Sequence, residues 1–128
     1  MERKVISSDQ APKPIGPYSQ AIEAGEFIFC SGQIPLDPQT NQLTQGDISV
    51  QTKRILDNFE AVLNAADSSL DRTVKLTVYL INLSDFDGLN RVLAERFPQN
   101  PPARAVVQVS ALPKNASIEM DLIALKNE

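Results

Sequence analysis

Apolar and polar positions alternate through several short segments of the chain and recur at helical spacing in two others. Residues 19–34, SQAIEAGEFIFCSGQI, read as a strand, a turn at Gly25 and a second strand. Residues 72–81, RTVKLTVYLI, alternate, with Val74, Leu76, Val78 and Leu80 on one face and Thr77, Tyr79 and Ile81 on the other. Two more strands are expected at about 103–109 and 117–125, joined by SALPKNA. In the first, Ala103, Ala105, Val107 and Val109 share one face, and Arg104, Val106 and Gln108 the other. In the second, Ile118, Met120, Leu122 and Ala124 lie opposite Glu119, Asp121, Ile123 and Leu125. Ile48, Ile55, Leu56, Phe59, Val62, Leu63 and Ala66 predict a helix, with Asp47 available to accept from the free N–H groups of its first turn. Ser84-Asp85-Phe86-Asp87 carries the S-x-x-D pattern of a capping box and predicts a second helix. Phe86, Leu89, Leu93 and Phe97 form its buried stripe, and Pro98 ends it. Residues 10–17, QAPKPIGP, form an extended loop, because proline pushes the residue before it out of the helical region. Residues 35–46, PLDPQTNQLTQG, read as an exposed, turn-rich loop.

This order predicts an α+β fold, with about six strands in a mixed sheet and two helices on one face. Two helices cover only one side of such a sheet. The other side is expected to carry Thr77, Tyr79, Ile81, Val106, Ile123 and Leu125, more apolar surface than water tolerates as a patch. A second copy of the chain over that face resolves this most simply, so a homo-oligomer is expected. Parity then puts Arg104 and Glu119 each opposite its strand's helix-packed residues.

At 128 residues, the chain is expected to be a single domain, residues 1–128, with a core that needs no staples. No apolar run approaches the roughly 20 residues of a membrane helix. The opening MERKVISSDQ lacks the apolar stretch of a secretory signal, so a cytoplasmic protein with no membrane partner is expected. The lone Cys30 excludes an intramolecular disulfide. There is no histidine, which excludes Ser-His-Asp and Cys-His catalysis and the common zinc sites. A net charge of −4 weighs against nucleic acid as a partner. No phosphate-binding glycine loop, dinucleotide fingerprint or metal-ligand spacing is present.

Several residues admit two readings. Arg104 is either an edge arginine or a clamp for a ligand carboxylate, whose geometry the guanidinium fork matches with two hydrogen bonds. Glu119 is either a solvated or salt-bridged carboxylate or a group that acts on the same ligand. Tyr18 follows a Gly-Pro turn as a packing anchor or a site residue. Gly32 is a strand-end bulge or a point where backbone N–H groups approach a ligand. Asn90 caps a neighbouring loop or touches a substrate. Cys30 reads as a small buried hydrophobe with no base to activate it.

Three segments taken together, IGPYSQAI (15–22), CSGQIP (30–35) and PPARAVVQVSALPKNASIEMDLIAL (101–125), resemble the Rid family, the reactive intermediate deaminases, and its RidA branch in particular. The third is the most specific, with P-A-R, then V-S-A-L, then I-E-M. The similarity runs in register from Pro14 to Ile123. The resemblance implies a chorismate-mutase-like two-layer fold assembled as a homotrimer with sites between subunits. It also implies hydrolysis of 2-imino acids, formed from the enamines that PLP-dependent dehydratases release, to 2-oxo acids and ammonia. The typical substrates would be 2-iminobutanoate and 2-iminopropanoate, with no metal or cofactor. By the same resemblance Arg104 grips the substrate carboxylate, Glu119 positions the attacking water, and Tyr18 lines the site from the adjacent subunit. Ser31 and Gly32 offer backbone contacts, and Asn90 lies near the pocket. Val106 stands where many RidA proteins have cysteine, so only its backbone N–H serves there and thiol-based roles lose their footing. Two other functions stay open: a non-catalytic module that binds or senses small carboxylates, and an RNA-directed ribonuclease or translation inhibitor.

Overall fold

The computed structural model of the chain describes residues 2–127. Its strands are β1 (Arg3–Ile6), β2 (Ala21–Ala24), β3 (Phe27–Gln33), β4 (Thr73–Leu80), β5 (Ala103–Gln108) and β6 (Ile118–Leu125), and its helices are α1 (Ile48–Ala65) and α2 (Phe86–Arg96). The strands form one sheet in the order β1-β2-β3-β6-β4-β5. Every neighbouring pair is antiparallel except β4 with β5. That parallel pair requires a crossover, and α2 supplies it. The α+β order and mixed sheet are as expected. The short β1, in which only Ile6 is buried, is the strand that the alternation does not announce.

α1 forms where its periodicity places it. The Asp47 carboxylate accepts from the Val50 N–H at 3.0 Å, and Ile55, Leu56, Phe59, Val62 and Leu63 are fully buried against the sheet. Burying each such side chain contributes roughly 1.5–3 kcal/mol. α2 begins differently from the expected capping box. The Asn82 side chain accepts from the Ser84 N–H at 2.9 Å and opens one 3-10 turn, Leu83–Asp85, that leads into the helix. Asp85 makes no side-chain cap. This entry leaves Phe86 half-exposed, and Val92 joins Leu89, Leu93 and Phe97 in the buried stripe.

Two strand faces differ from the alternation. In β4, Thr73 pairs with Ala124 and Lys75 with Ile123, so Val74 is the extra residue of a bulge. Thr73 takes the buried place, its hydroxyl donating to the Leu70 carbonyl at 2.7 Å, and Val74 turns partly outward. In β5 the expected parity is inverted. Arg104 pairs in register with Leu76, Val106 with Val78 and Gln108 with Leu80, and those β4 residues are buried under the helices. Register partners in a ladder share a face. Arg104, Val106 and Gln108 therefore lie on the helix-covered side, where Val106 packs against the core, while Ala105 and Val107 look the other way. The 35–46 loop is also less free than its composition suggests. Pro35 and Leu36 are buried, Leu36 bridges to Leu43, and the buried Asn58 of α1 donates to the Leu36 carbonyl at 2.9 Å.

The uncovered face is strongly apolar. Val5, Ile22, Phe29 and Ile123 run in register across four strands, with Phe27 and Leu125 beside them. Val5 is 58%, Phe27 42%, Phe29 45% and Val107 43% exposed. No helix among the described residues is long and apolar enough to cross a membrane.

Candidate active site

Glu119 stands on β6 opposite an irregularity in β3. Cys30 pairs with Leu122 and Gln33 with Met120, so Ser31 and Gly32 together face Asp121 alone. Such bulges re-aim the groups around them. Here a Cβ on Gly32 would stand 2.5 Å from Oε2 of Glu119, so the glycine makes room for that carboxylate. Both line a cleft of about 230 Å³, with Tyr18, Lys13, Lys114 and Gln33 around them. The 8–20 loop closes one side of it. Buried Gln20 shapes that loop, donating to the carbonyls of Ser8 at 3.1 Å and Pro12 at 2.9 Å and accepting from the Ser8 N–H at 2.7 Å. The Ser31 hydroxyl donates to the Ser19 carbonyl at 2.6 Å, and the Ser31 N–H donates to the Gln20 carbonyl at 3.0 Å. Ser31 thus ties the loop to β3 through both its hydroxyl and its backbone N–H. Tyr18 is half-exposed, and its hydroxyl accepts from the Ile15 N–H at 3.4 Å across a turn in which Gly16 has φ +125°.

The Glu119 carboxyl is held above the ordinary carboxylate range, first by partial burial and second by the charge of Asp121 on the same face. Tyr79, in register with Glu119, donates its hydroxyl to Oδ2 of Asp121 at 2.9 Å, and that bond keeps its own proton on. A half-buried carboxylate with raised proton affinity is suited to accept a proton from water. Cys30 faces the core, where burial pushes its thiol up to about 12, so no thiolate is at hand. Among the described residues, no three of His, Cys, Asp and Glu group as a metal cage.

Arg104 occupies a separate place. Its Nη1 donates to Oδ1 of Asn90 on α2 at 2.5 Å, and its guanidinium lies 5.4 Å from the centre of the Phe86 ring. Cation–π contact of this kind contributes about 0.5–1 kcal/mol at an exposed site. Phe86 and Asn90 are four residues apart on α2, so one helix face supplies both supports. The ion pairs among the described residues are Arg96–Asp57 and Lys126–Glu23, and Arg104 belongs to neither. Arg104 borders a hollow of about 490 Å³ that Asn90, Leu93, Phe97 and Pro102 also line. Asn90 therefore positions the arginine instead of capping a loop. Phe86 is the residue that the sequence reading missed, having assigned it to the core stripe.

Arg104 and Glu119 are not brought together within one chain. Arg104 registers with Leu76 of β4 and Glu119 with Tyr79, while β5 and β6 flank β4 on opposite sides. Two strand spacings and a three-residue offset put the two backbones about 14 Å apart. The side chains then leave the sheet from opposite faces. One chain thus holds apart two groups: an exposed guanidinium and a half-buried carboxylate with raised proton affinity.

The family model described as Endoribonuclease L-PSP matches residues 8–126. A RutC family protein from Pyrococcus abyssi is 53% identical over 126 residues, covering 98% of this chain and 99% of that protein. The human 2-iminobutanoate/2-iminopropanoate deaminase is 42% identical over 124 residues, covering 97% of this chain and 90% of the human protein. The crystal structure of RidA from the Antarctic bacterium Psychrobacter sp. has a TM-score of 0.92 at 40% identity, covering 95% of this chain and 98% of that one.

Proposed function

This chain belongs to the endoribonuclease L-PSP family, the Rid proteins, and we propose that it hydrolyses 2-imino acids to 2-oxo acids and ammonia at a site that two copies of the chain complete. The observation that carries this reading is the pair of half-sites. Arg104 is steadied by Asn90 and Phe86 with donors left over, and Glu119 has room beside Gly32 in its cleft, its proton affinity raised. Each has what the other lacks. The apolar open face supports the same reading, since exposed Phe27, Phe29 and Val107 favour covering by further copies. A homotrimer, as the family resemblance implies, would place one copy's Arg104 against another's Glu119.

In that site the guanidinium of Arg104 takes the α-carboxylate through two parallel hydrogen bonds, which fixes the adjacent imine carbon. Water attacks that carbon as Glu119 accepts a water proton, forming the C–O bond. The C=N π electrons move to nitrogen, which then takes the proton from Glu119; the C–N bond breaks, ammonia leaves, and the hydroxyl gives its proton to Glu119 as the carbonyl forms. An iminium carbon is electrophilic without assistance, so positioning and one base suffice; general-base help of this kind is worth about 10²–10⁴-fold. The family's name, endoribonuclease L-PSP, points instead to RNA. A chain with net charge −4 and no histidine offers little for phosphodiester binding or cleavage.

The test couples a PLP-dependent threonine dehydratase to this protein and follows 2-iminobutanoate decay and ammonia release. The wild type should accelerate decay, and Arg104→Ala and Glu119→Gln should each abolish most of that effect. A wild type that binds 2-oxobutanoate without accelerating decay would leave a binding module and overturn the reading.

A further inference from the structure

We propose that the cleft beside Glu119 binds a second carboxylate through Lys13 and Lys114, so that the preferred ligands are short 2-imino and 2-oxo dicarboxylic acids. This rests on the reading above, in which Arg104 of another copy takes the α-carboxylate. Both lysines line the same cleft as Glu119 and Gly32, and Glu119 is the only carboxylate among its lining residues. Two lysines thus line a cleft that holds one carboxylate, in a chain whose net charge is −4. Neither lysine belongs to the ion pairs found among the described residues. Lys114 donates to the Asn41 carbonyl at 3.4 Å, a long contact that leaves its other two N–H groups to a ligand.

The backbone supplies an independent observation. Lys114 and Asn115 have φ +57° and +59°, consecutive non-glycine residues in the left-handed region. That conformation suits glycine, and strained positions of this type cluster at ligand sites. The chain nevertheless keeps a lysine there, at the cleft wall formed with Pro113. The small cleft, about 230 Å³, suits a compact side chain. With the imine carbon beside Glu119, a ligand's side chain extends toward the two ammonium groups. Lysine, a compact charge on a flexible stem, accommodates a terminal carboxylate one or two carbons further out.

Titration calorimetry at low salt, with 2-oxoglutarate and 2-oxobutanoate as probes, tests this on the full chain. 2-Oxoglutarate should bind about tenfold more tightly, the amount two partly exposed charge pairs supply together. Lys13→Ala and Lys114→Gly should each lower the ratio of the two affinities several-fold. Lys114→Gly accepts the left-handed backbone, so its melting temperature should hold or rise and the loss cannot be ascribed to a broken loop. Equal affinities, or a dicarboxylate preference that survives both substitutions, would overturn the proposal. Arg104-dependent hydrolysis of 2-iminobutanoate without that preference overturns this inference alone. A lysine-dependent preference in a protein that releases no ammonia supports this inference and overturns the deaminase reading.

Discussion

If the proposed site is shared between copies, mixing two inactive variants should restore activity, because one chain holds Arg104 and Glu119 apart. Arg104→Ala removes the carboxylate grip and leaves Glu119 in its cleft. Glu119→Gln removes the base and leaves Arg104 on Asn90 and Phe86. Within a chain the two backbones stand about 14 Å apart with side chains on opposite faces, whereas the carboxyl and imine carbons of a 2-imino acid are separated by a single bond of about 1.5 Å. On the proposed reading, a working site takes Arg104 from one copy and Glu119 from the next. In a cyclic oligomer assembled at random from equal amounts of the two variants, half the copies carry an intact Arg104 and half an intact Glu119. About a quarter of the junctions then combine both, so the mixture should recover about a quarter of wild-type ammonia release. The assay co-refolds the two variants, verifies hybrid assemblies by native mass spectrometry with one variant isotopically labelled, and compares the mixture with each variant refolded alone. Hybrids that form but release no more ammonia than the average of the two parents would refute the shared site.

Two further outcomes follow from the Glu119 cleft. Gly32→Ala would set a Cβ 2.5 Å from Oε2 of Glu119 and displace the carboxylate, so deaminase turnover should fall about 10²-fold with an unchanged circular dichroism spectrum; near-normal turnover would count against Glu119 as the positioned base. The raised proton affinity of Glu119 sets a pH limb: the base works only when ionised, so activity should rise with pH through a value above the ordinary carboxylate range. Asp121→Asn removes the second cause and should move that limb to lower pH, which a pH–rate profile reads directly. The same shift has a stability consequence with a definite sign. A carboxyl that holds its proton more tightly folded than unfolded favours the folded state below the unfolded value and loses that contribution as pH rises through the folded value. Glu119→Gln should therefore raise the melting temperature at neutral pH while removing activity, and a lowered melting temperature would contradict the assigned shift.

The helices were legible in the sequence because a helical stripe reports its own burial: Ile55, Leu56, Phe59, Val62 and Leu63 recur together and are buried together. Strand alternation carries less information. It says that two faces differ, not which face meets the helices, and in β5 the Ala/Val face is the open one. Only the parallel pairing with β4 decides that, and such pairing is a long-range property with no local signature. Residue type, strand position and the family motifs together singled out Arg104, Glu119 and Gly32 as candidates. Their division into two half-sites follows from strand order, and Lys13 and Lys114 lie in loops that carry no periodic signal.

The misread face and the candidate mechanism share one physical origin. An arginine on the helix side of a central strand would be sealed beneath α1 and α2, where an unpaired guanidinium is severely penalised. β5 is the outermost strand, and the hollow lined by Asn90, Leu93, Phe97 and Pro102 leaves its beginning open even on the helix side. Arg104 can therefore share a face with core residues and still stay exposed, held by one amide and one aromatic ring. The edge strand that defeats the simple parity rule is also the element that sets a guanidinium at the rim of the sheet, where another copy can bring a carboxylate-bearing cleft against it.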